Sequence, residues 1–180
     1  MSFTNELGKQ VLILDGAMGT MVQNLGLTDA AFGGPEFKML TDLLVFSRPD
    51  DLEGIHLEYL KAGANMIETD TFGASPLRLK EFDFSKFDSS DLKAIPESLD
   101  LKTCSLESLT LQLNIEGCRI AQRAVEKYRA QPDYDGRPLF VAGSIGPSNY
   151  VISSTEANLN KGTFDQIVEN FYYQVYGLIE

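Results

Sequence analysis

Three polar loops hold the residues of this sequence best placed for chemistry, and each follows a short apolar run. They are Asp15-Gly16-Ala17-Met18-Gly19-Thr20 after residues 11–14, Asp70-Thr71-Phe72-Gly73 after 65–69, and Ser144-Ile145-Gly146-Pro147-Ser148-Asn149 after 139–143. Small residues such as Gly16, Ala17 and Gly19 leave backbone N–H groups open to an anionic group, and successive amides can form a nest around it. The plainer alternative is a tight turn leading into a helix, with Asp15 capping that turn. The first loop is not G-x-G-x-x-G, and G-x-x-x-x-G-K-[ST] occurs nowhere, which removes most support for nucleotide binding.

Metal chemistry has little to draw on. The soft or imidazole ligands are His56, Cys104 and Cys118. The first is expected inside a helix, the second in a polar segment and the third on an apolar helical face, so no zinc site is predicted within the chain. The two cysteines make no disulfide framework and are expected as free thiols.

Charge excludes further classes. Among 180 residues, 15 Lys and Arg stand against 26 Asp and Glu, a formal charge of −11 that repels nucleic-acid phosphates and anionic membranes. No segment approaches the roughly 18 apolar residues of a membrane helix, and the N-terminus lacks a basic patch followed by an apolar run. The expected location is the cytoplasm.

The loops need elements to hold them. The apolar runs at 11–14, 65–69 and 139–143 predict buried parallel strands. Pro49-Asp50-Asp51 opens a helix with acids at its positive end, Leu52, Ile55 and Tyr59 at helical spacing, and Gly63 as its stop. A shorter helix is expected over 76–81. Residues 83–107, rich in Asp, Ser, Lys and Glu, read as a solvated insertion, with partner docking as the sharper alternative. A helix over 109–129 places Leu111, Ile115, Cys118, Ala121 and Val125 on one face, and Pro132 to Gly136 breaks it. A last helix starts at Thr163, whose spacing to Gln166 suits a capping box, and turns Phe164, Ile167, Val168, Phe171, Val175 and Leu178 inward. Tyr172, Tyr173 and Tyr176 on that helix read as packing or a subunit contact. Glu68, among apolar neighbours, is expected to be a buried, paired, structural acid.

Strand, helix, strand, helices, strand, helix is the order of a parallel α/β fold. Both open doubly wound sheets and closed barrels place chemistry at strand C-termini. Three strands are too few for a closed barrel, which takes about 250 residues.

The three strand-end motifs, in this order, resemble the first three strands of the homocysteine S-methyltransferase domain. Residues 14–20 (LDGAMGT), 63–72 (GANMIETDTF) and 141–149 (VAGSIGPSN) carry the resemblance. Residues 42–49 (DLLVFSRP) are similar to the segment before the second helix in the cobalamin-dependent methionine synthase branch. The sequence departs from the family at 83–107, at Asp70, where Asn is more frequent, and at Ala17, where Gly is.

The resemblance implies a partial (β/α)8 TIM barrel: residues 1–180 as an incomplete homocysteine-binding domain comprising the first three strand–helix units. It implies a parent enzyme that methylates homocysteine to methionine, with zinc to bind and deprotonate the thiol. The family's zinc-binding cysteines lie near later strands absent from this chain, so the isolated chain is expected to be inactive and to hold no catalytic residue. Methylcobalamin is the implied donor, with folate- and cobalamin-binding domains and the rest of the barrel as partners. Within the family, betaine, S-methylmethionine or S-adenosylmethionine are the alternative donors. Outside it, the alternative is a non-catalytic amino-acid-binding or assembly module built on a half-barrel.

The same resemblance implies substrate-binding roles. Asp15 would accept hydrogen bonds from the substrate ammonium. Gly16, Ala17, Met18 and Gly19 would offer amides to its carboxylate, and Asp70, Thr71 and Ser144 would sit at the substrate mouth.

Overall fold

One amide side chain gathers three stretches of the sheet. Asn65 accepts the Ile13 N–H through Oδ1 at 3.0 Å and donates from Nδ2 to the Pro138 carbonyl at 3.1 Å. The computed structural model describes residues 2–97, 99–148, 150–151, 160–161 and 164–180. Among them, helices and short strands alternate in a mixed α/β fold. In order they are α1 (Phe3–Glu6), α2 (Met18–Asn24), α3 (Leu44–Ser47), α4 (Pro49–Lys61), β1 (Met66–Glu68), α5 (Pro76–Leu79), α6 (Leu106–Arg129), β2 (Phe140–Ala142), β3 (Tyr150–Val151), β4 (Asn160–Lys161) and α7 (Phe164–Ile179). Short 3-10 turns lie at Asp29–Phe32, Pro35–Phe37, Thr41–Leu43 and Phe84–Lys86.

β1 and β2 pair in parallel, with Met66 opposite Phe140 and Glu68 opposite Ala142. β3 and β4 form a separate parallel pair. The expected strand at 11–14 is reduced to one parallel bridge, Leu14 to Met66. The Ile13 carbonyl accepts the amides of Asn65 and Met66, and the Asp15 amide donates to Met66 at 2.9 Å. No strand pairs with the far side of 11–14 among the described residues, and Val11, Ile13 and Leu14 are open to solvent, Val11 at 87 %.

α4 follows its sequence signals. Pro49 sits in the first turn with Asp50 and Asp51, Lys61 is in the last, and Gly63 follows with φ +110°. Leu52, Ile55 and Leu60 are buried, while Tyr59 is half-buried. α6 is capped by Ser105, whose hydroxyl accepts the Ser108 N–H at 3.2 Å. Its deepest stripe runs through Leu109, Leu113, Gly117, Ile120, Ala121, Ala124 and Tyr128, so Leu111, Ile115 and Cys118 of the expected face are only half-buried. Gly117 explains the rotation: a Cβ there would lie 2.5 Å from Thr71 Cγ2, so the helix backbone rests directly on the loop after β1.

Residues 83–107 correct the expectation of a solvated stretch. Phe84, Phe87, Leu99 and Leu101 are buried in the main core. Phe37 stacks or crosses rings with Phe82, Phe84 and Phe87 at centroid distances of 5.9, 5.3 and 5.2 Å. The amides of Lys93 and Ala94 both donate to the Phe46 carbonyl, and Asp91 pairs with Arg48. The apolar residues are spaced irregularly because the segment packs as turns, so no helical or strand period marks them.

α7 corrects a second expectation. Its buried residues are Asn170, Gln174 and Gly177. Phe164, Val168 and Val175 face solvent, the first two at 64 % and 51 %, and Ile167, Phe171 and Leu178 are half-buried. Specific bonds turn the helix this way: Asn170 Oδ1 accepts the Leu77 N–H at 2.6 Å, and Gln174 Nε2 donates to the Thr71 carbonyl at 2.7 Å. Gly177 permits close approach, since a Cβ would meet the Leu111 carbonyl oxygen at 2.8 Å. The expected cap at Thr163 and the loop residue Asn149 lie outside the described residues. No helix among the described residues is long and apolar enough to cross a membrane.

Candidate functional site

The C-terminal ends of the 11–14 segment, β1 and β2 open onto one cavity of about 500 Å³. Asp15, Gly16, Ala17, Met18, Gly19, Asp70 and Ser144 all line it, joined by Thr41, Glu68, Thr69 and Phe72. Seven of the eight residues singled out in the sequence therefore meet at one place.

Asp15 reaches across to β1. Its Oδ2 accepts the Glu68 N–H at 2.9 Å, while Oδ1 is enclosed and has no partner among the described residues. Burial pushes its carboxyl up to about 6; the Glu68 amide opposes the shift and the Glu68 charge adds to it. Behind the loop, Tyr59 donates its hydroxyl to the Ala17 carbonyl at 3.3 Å. A Cβ on Gly16 would come within 3.0 Å of that hydroxyl, so the Tyr59 ring seats the turn. Ala17 begins α2 without a side-chain cap, and the first amides of a helix have no partner within it.

Glu68 departs from expectation. It is half-buried at the cavity wall and forms no ion pair among the described residues, so it is not a paired structural acid.

Thr71 does not reach the cavity. It is fully buried and ties the loops together: its hydroxyl lies 2.7 Å from that of Thr69 and donates to the Ser144 carbonyl at 3.0 Å. The Ser144 N–H donates to Thr69 Oγ1 at 2.9 Å, closing the link between the ends of β1 and β2.

Asp70 is buried, and its Oδ1 accepts the Thr41 hydroxyl at 3.3 Å. Beside Thr41, Asp42 is buried as well and accepts the Gly73 N–H at 2.8 Å. Burial raises both carboxyls, and the charge of Asp42 raises Asp70 further.

The candidate soft ligands stay apart. His56 is buried in α4, and desolvation pushes its imidazole down to about 4, with nearby Glu53 opposing the shift. Glu53 is held by Arg123 and Lys127 of α6 at 3.1 and 2.9 Å. Cys104 packs against the core; Cys118 donates to the Leu178 carbonyl at 3.5 Å; both are free thiols raised by burial. No three His, Cys, Asp or Glu side chains among the described residues converge to hold a metal.

The sequence profile of a family described as homocysteine S-methyltransferase matches residues 12–180. The chain belongs to the homocysteine S-methyltransferase family. Among solved structures it is similar to the homocysteine methyltransferase MmuM from Escherichia coli. It aligns with the metallated form at a TM-score of 0.65 and 22 % identity over 97 % of this chain. For the oxidized form the TM-score is 0.62, also at 22 % identity, over 96 % of this chain. These likenesses concern the fold. The chain spans about half of that protein, 52 % in the first alignment and 51 % in the second.

Reading the sequence of this homocysteine S-methyltransferase family member missed Thr41, Asp42, Thr69 and Tyr59. A signal existed for Asp42: a lone acid among Leu40, Leu43 and Leu44 is a buried carboxylate in waiting.

Proposed function

We propose that the chain is the N-terminal part of a homocysteine S-methyltransferase domain, laid out as the first three strand–helix units of a (β/α)8 barrel. In this reading its cavity holds the amino-acid end of homocysteine. The meeting of three strand-end loops around Asp15, one of whose carboxylate oxygens has no partner among the described residues, carries the reading. An enclosed carboxylate oxygen is suited to a substrate ammonium, and charge assistance makes such a bond one of the stronger kinds. The uncapped amides at the start of α2 suit the substrate carboxylate. Ser144 and Asp70 line the same cavity, and Thr71 ties their loops together from behind.

The described residues do not fit a zinc site. The parent domain's thiolate chemistry therefore draws its ligands from elsewhere in that domain, and this chain alone is expected to show no turnover. Methylcobalamin as donor, and folate- and cobalamin-binding domains as partners, rest on residues 42–49. Betaine or S-methylmethionine remains the alternative donor within the family. A second reading, an assembly module without chemistry, is favoured by one observation: the apolar face of α7 is open to solvent.

Calorimetric titration with L-homocysteine tests the main reading. Wild type is expected to bind, and Asp15→Asn is expected to lose about tenfold or more, the worth of one charge-assisted bond at about 1.5–3 kcal/mol. Equal affinity of the two proteins would sink the assignment. Affinity is also expected to fall as pH drops through about 6, where Asp15 gains its proton.

Stability should move the other way. The native carboxyl lies above the ordinary 3.8, so the folded state holds a proton that the unfolded chain has released. Stability conferred at low pH is lost as pH rises from 3.8 to about 6. Asp15→Asn should remove that loss and melt higher than wild type at neutral pH.

A further inference from the structure

Asp42, in the turn Thr41–Leu43, and Asp70, just after β1, are buried on different elements. Asp42 is 3 % exposed and Asp70 6 %. Neither forms a salt bridge among the described residues. Two carboxylates in a desolvated setting resist joint ionisation, and the charge of Asp42 raises Asp70, so the pair favours keeping one proton.

Their hydrogen bonds decide which one keeps it. Asp42 accepts the Gly73 N–H, and its Oδ2 presses so close to Gly73 that a Cβ there would lie 2.8 Å away. Backbone donors at Asp42 itself, Gly73 and Ala74, together with the field of Arg78 on α5, favour the charged form of Asp42. The Arg78 guanidinium pairs with Glu81. Asp70 has only the Thr41 hydroxyl, and its Oδ2 is enclosed without a partner among the described residues. A carboxyl oxygen in that position is the natural seat of a proton. Asp15 and Glu68 line the same cavity as Asp70, so an ionised Asp70 would add a third acidic side chain to it.

We propose that Asp42 is a positioning residue that holds a single proton on Asp70, so that Asp70 presents a neutral carboxylic acid in a cavity otherwise lined by carboxylates and the site tolerates a ligand's own carboxylate. This deepens the amino-acid-binding reading above and, for its ligand, rests on it. With Asp70 ionised, three carboxylates would face the ligand, and a cationic amine without a carboxylate would be preferred over an amino acid. With Asp70 neutral, Asp15 recognises the ammonium while Asp70 no longer repels the carboxylate.

The test begins with the intact chain carrying carbon-13 in its aspartate carboxyl groups, titrated by NMR. One aspartate resonance should stay protonated well above the ordinary carboxylate range, vanish in Asp70→Asn, and move to lower pH in Asp42→Asn. Absence of such a resonance in wild type, or no movement in Asp42→Asn, overturns the proposal. The second measurement compares L-homocysteine with 3-amino-1-propanethiol, the same molecule without its carboxylate, at mildly alkaline pH. Asp42→Asn should reduce the preference for L-homocysteine by about threefold or more, which corresponds to about 0.7 kcal/mol. An unchanged preference overturns the specificity role. If wild type binds neither thiol, the amino-acid reading fails, and the titration still decides whether the pair holds one proton.

Discussion

The main core and α7 bury opposite kinds of side chain. From Phe37 through α6 the interior is mostly apolar: Phe37, Phe46, Leu52, Leu109 and Leu113 are essentially inaccessible, with Asp42 and Glu53 as buried acids among them. On α7 the buried positions are Asn170, Gln174 and Gly177, while Phe164, Val168, Tyr172 and Ile179 face water. The difference shows two ways of orienting a helix. Where a continuous apolar surface is available, burial of hydrocarbon sets the rotation. Where the surface offered is a ring of backbone carbonyls and amides at Leu77, Thr71 and Ser144, side-chain amides set it, and the apolar stripe is left over.

Three substitutions can break or sharpen this contrast. Phe37→Ala, at the crossing of four aromatic rings, should cost about 3–5 kcal/mol in denaturant unfolding, because transfer energy and a cavity add. A loss under about 1 kcal/mol would mean the core is not the organising region. Gln174→Ala removes one bond from each of the Thr71 and Ser144 carbonyls, which keep the Ala74 N–H and the Thr71 hydroxyl, and should cost about 0.5–1.5 kcal/mol, with faster hydrogen exchange in α7 than in α6. If the helix stays docked at full stability, amide tethering is not what turns it. Val168→Ser, on the exposed stripe, should change stability by no more than about 0.5 kcal/mol while lowering any self-association seen in sedimentation. A large destabilisation there would show that the stripe is buried in solution.

The same contrast explains what the sequence made legible. β1 and β2 are short apolar runs followed by polar loops, and α4 carries Pro49, two acids and Gly63 at its ends, so local chemistry alone marks them. The cavity was legible because strand-end loops converge by topology, which needs no side-chain geometry. The face of α7 was not, because its hydrophobic period points away from the atoms that hold it. Residues 83–107 were not, because Phe84, Phe87, Leu99 and Leu101 are buried as separate turns without a period, and Phe87 fits only where Gly33 leaves room. The link between Asp42 and Asp70 was hidden for another reason: the two lie 28 positions apart along the chain, and neither motif alone reveals that the charge of one raises the other.

Asn65 separates two demands on the sheet. Its amide spans Ile13 and Pro138, residues 52 and 73 positions away, at the end of the strands where the chain enters. The loops that shape the cavity leave from the other end. Alignment of the three stretches is therefore fixed at a point remote from the cavity, and a side-chain change at Met18 or Phe72 leaves that point untouched. A scaffold arranged in this way can acquire new specificity by revising its loops while its alignment peg stays in place.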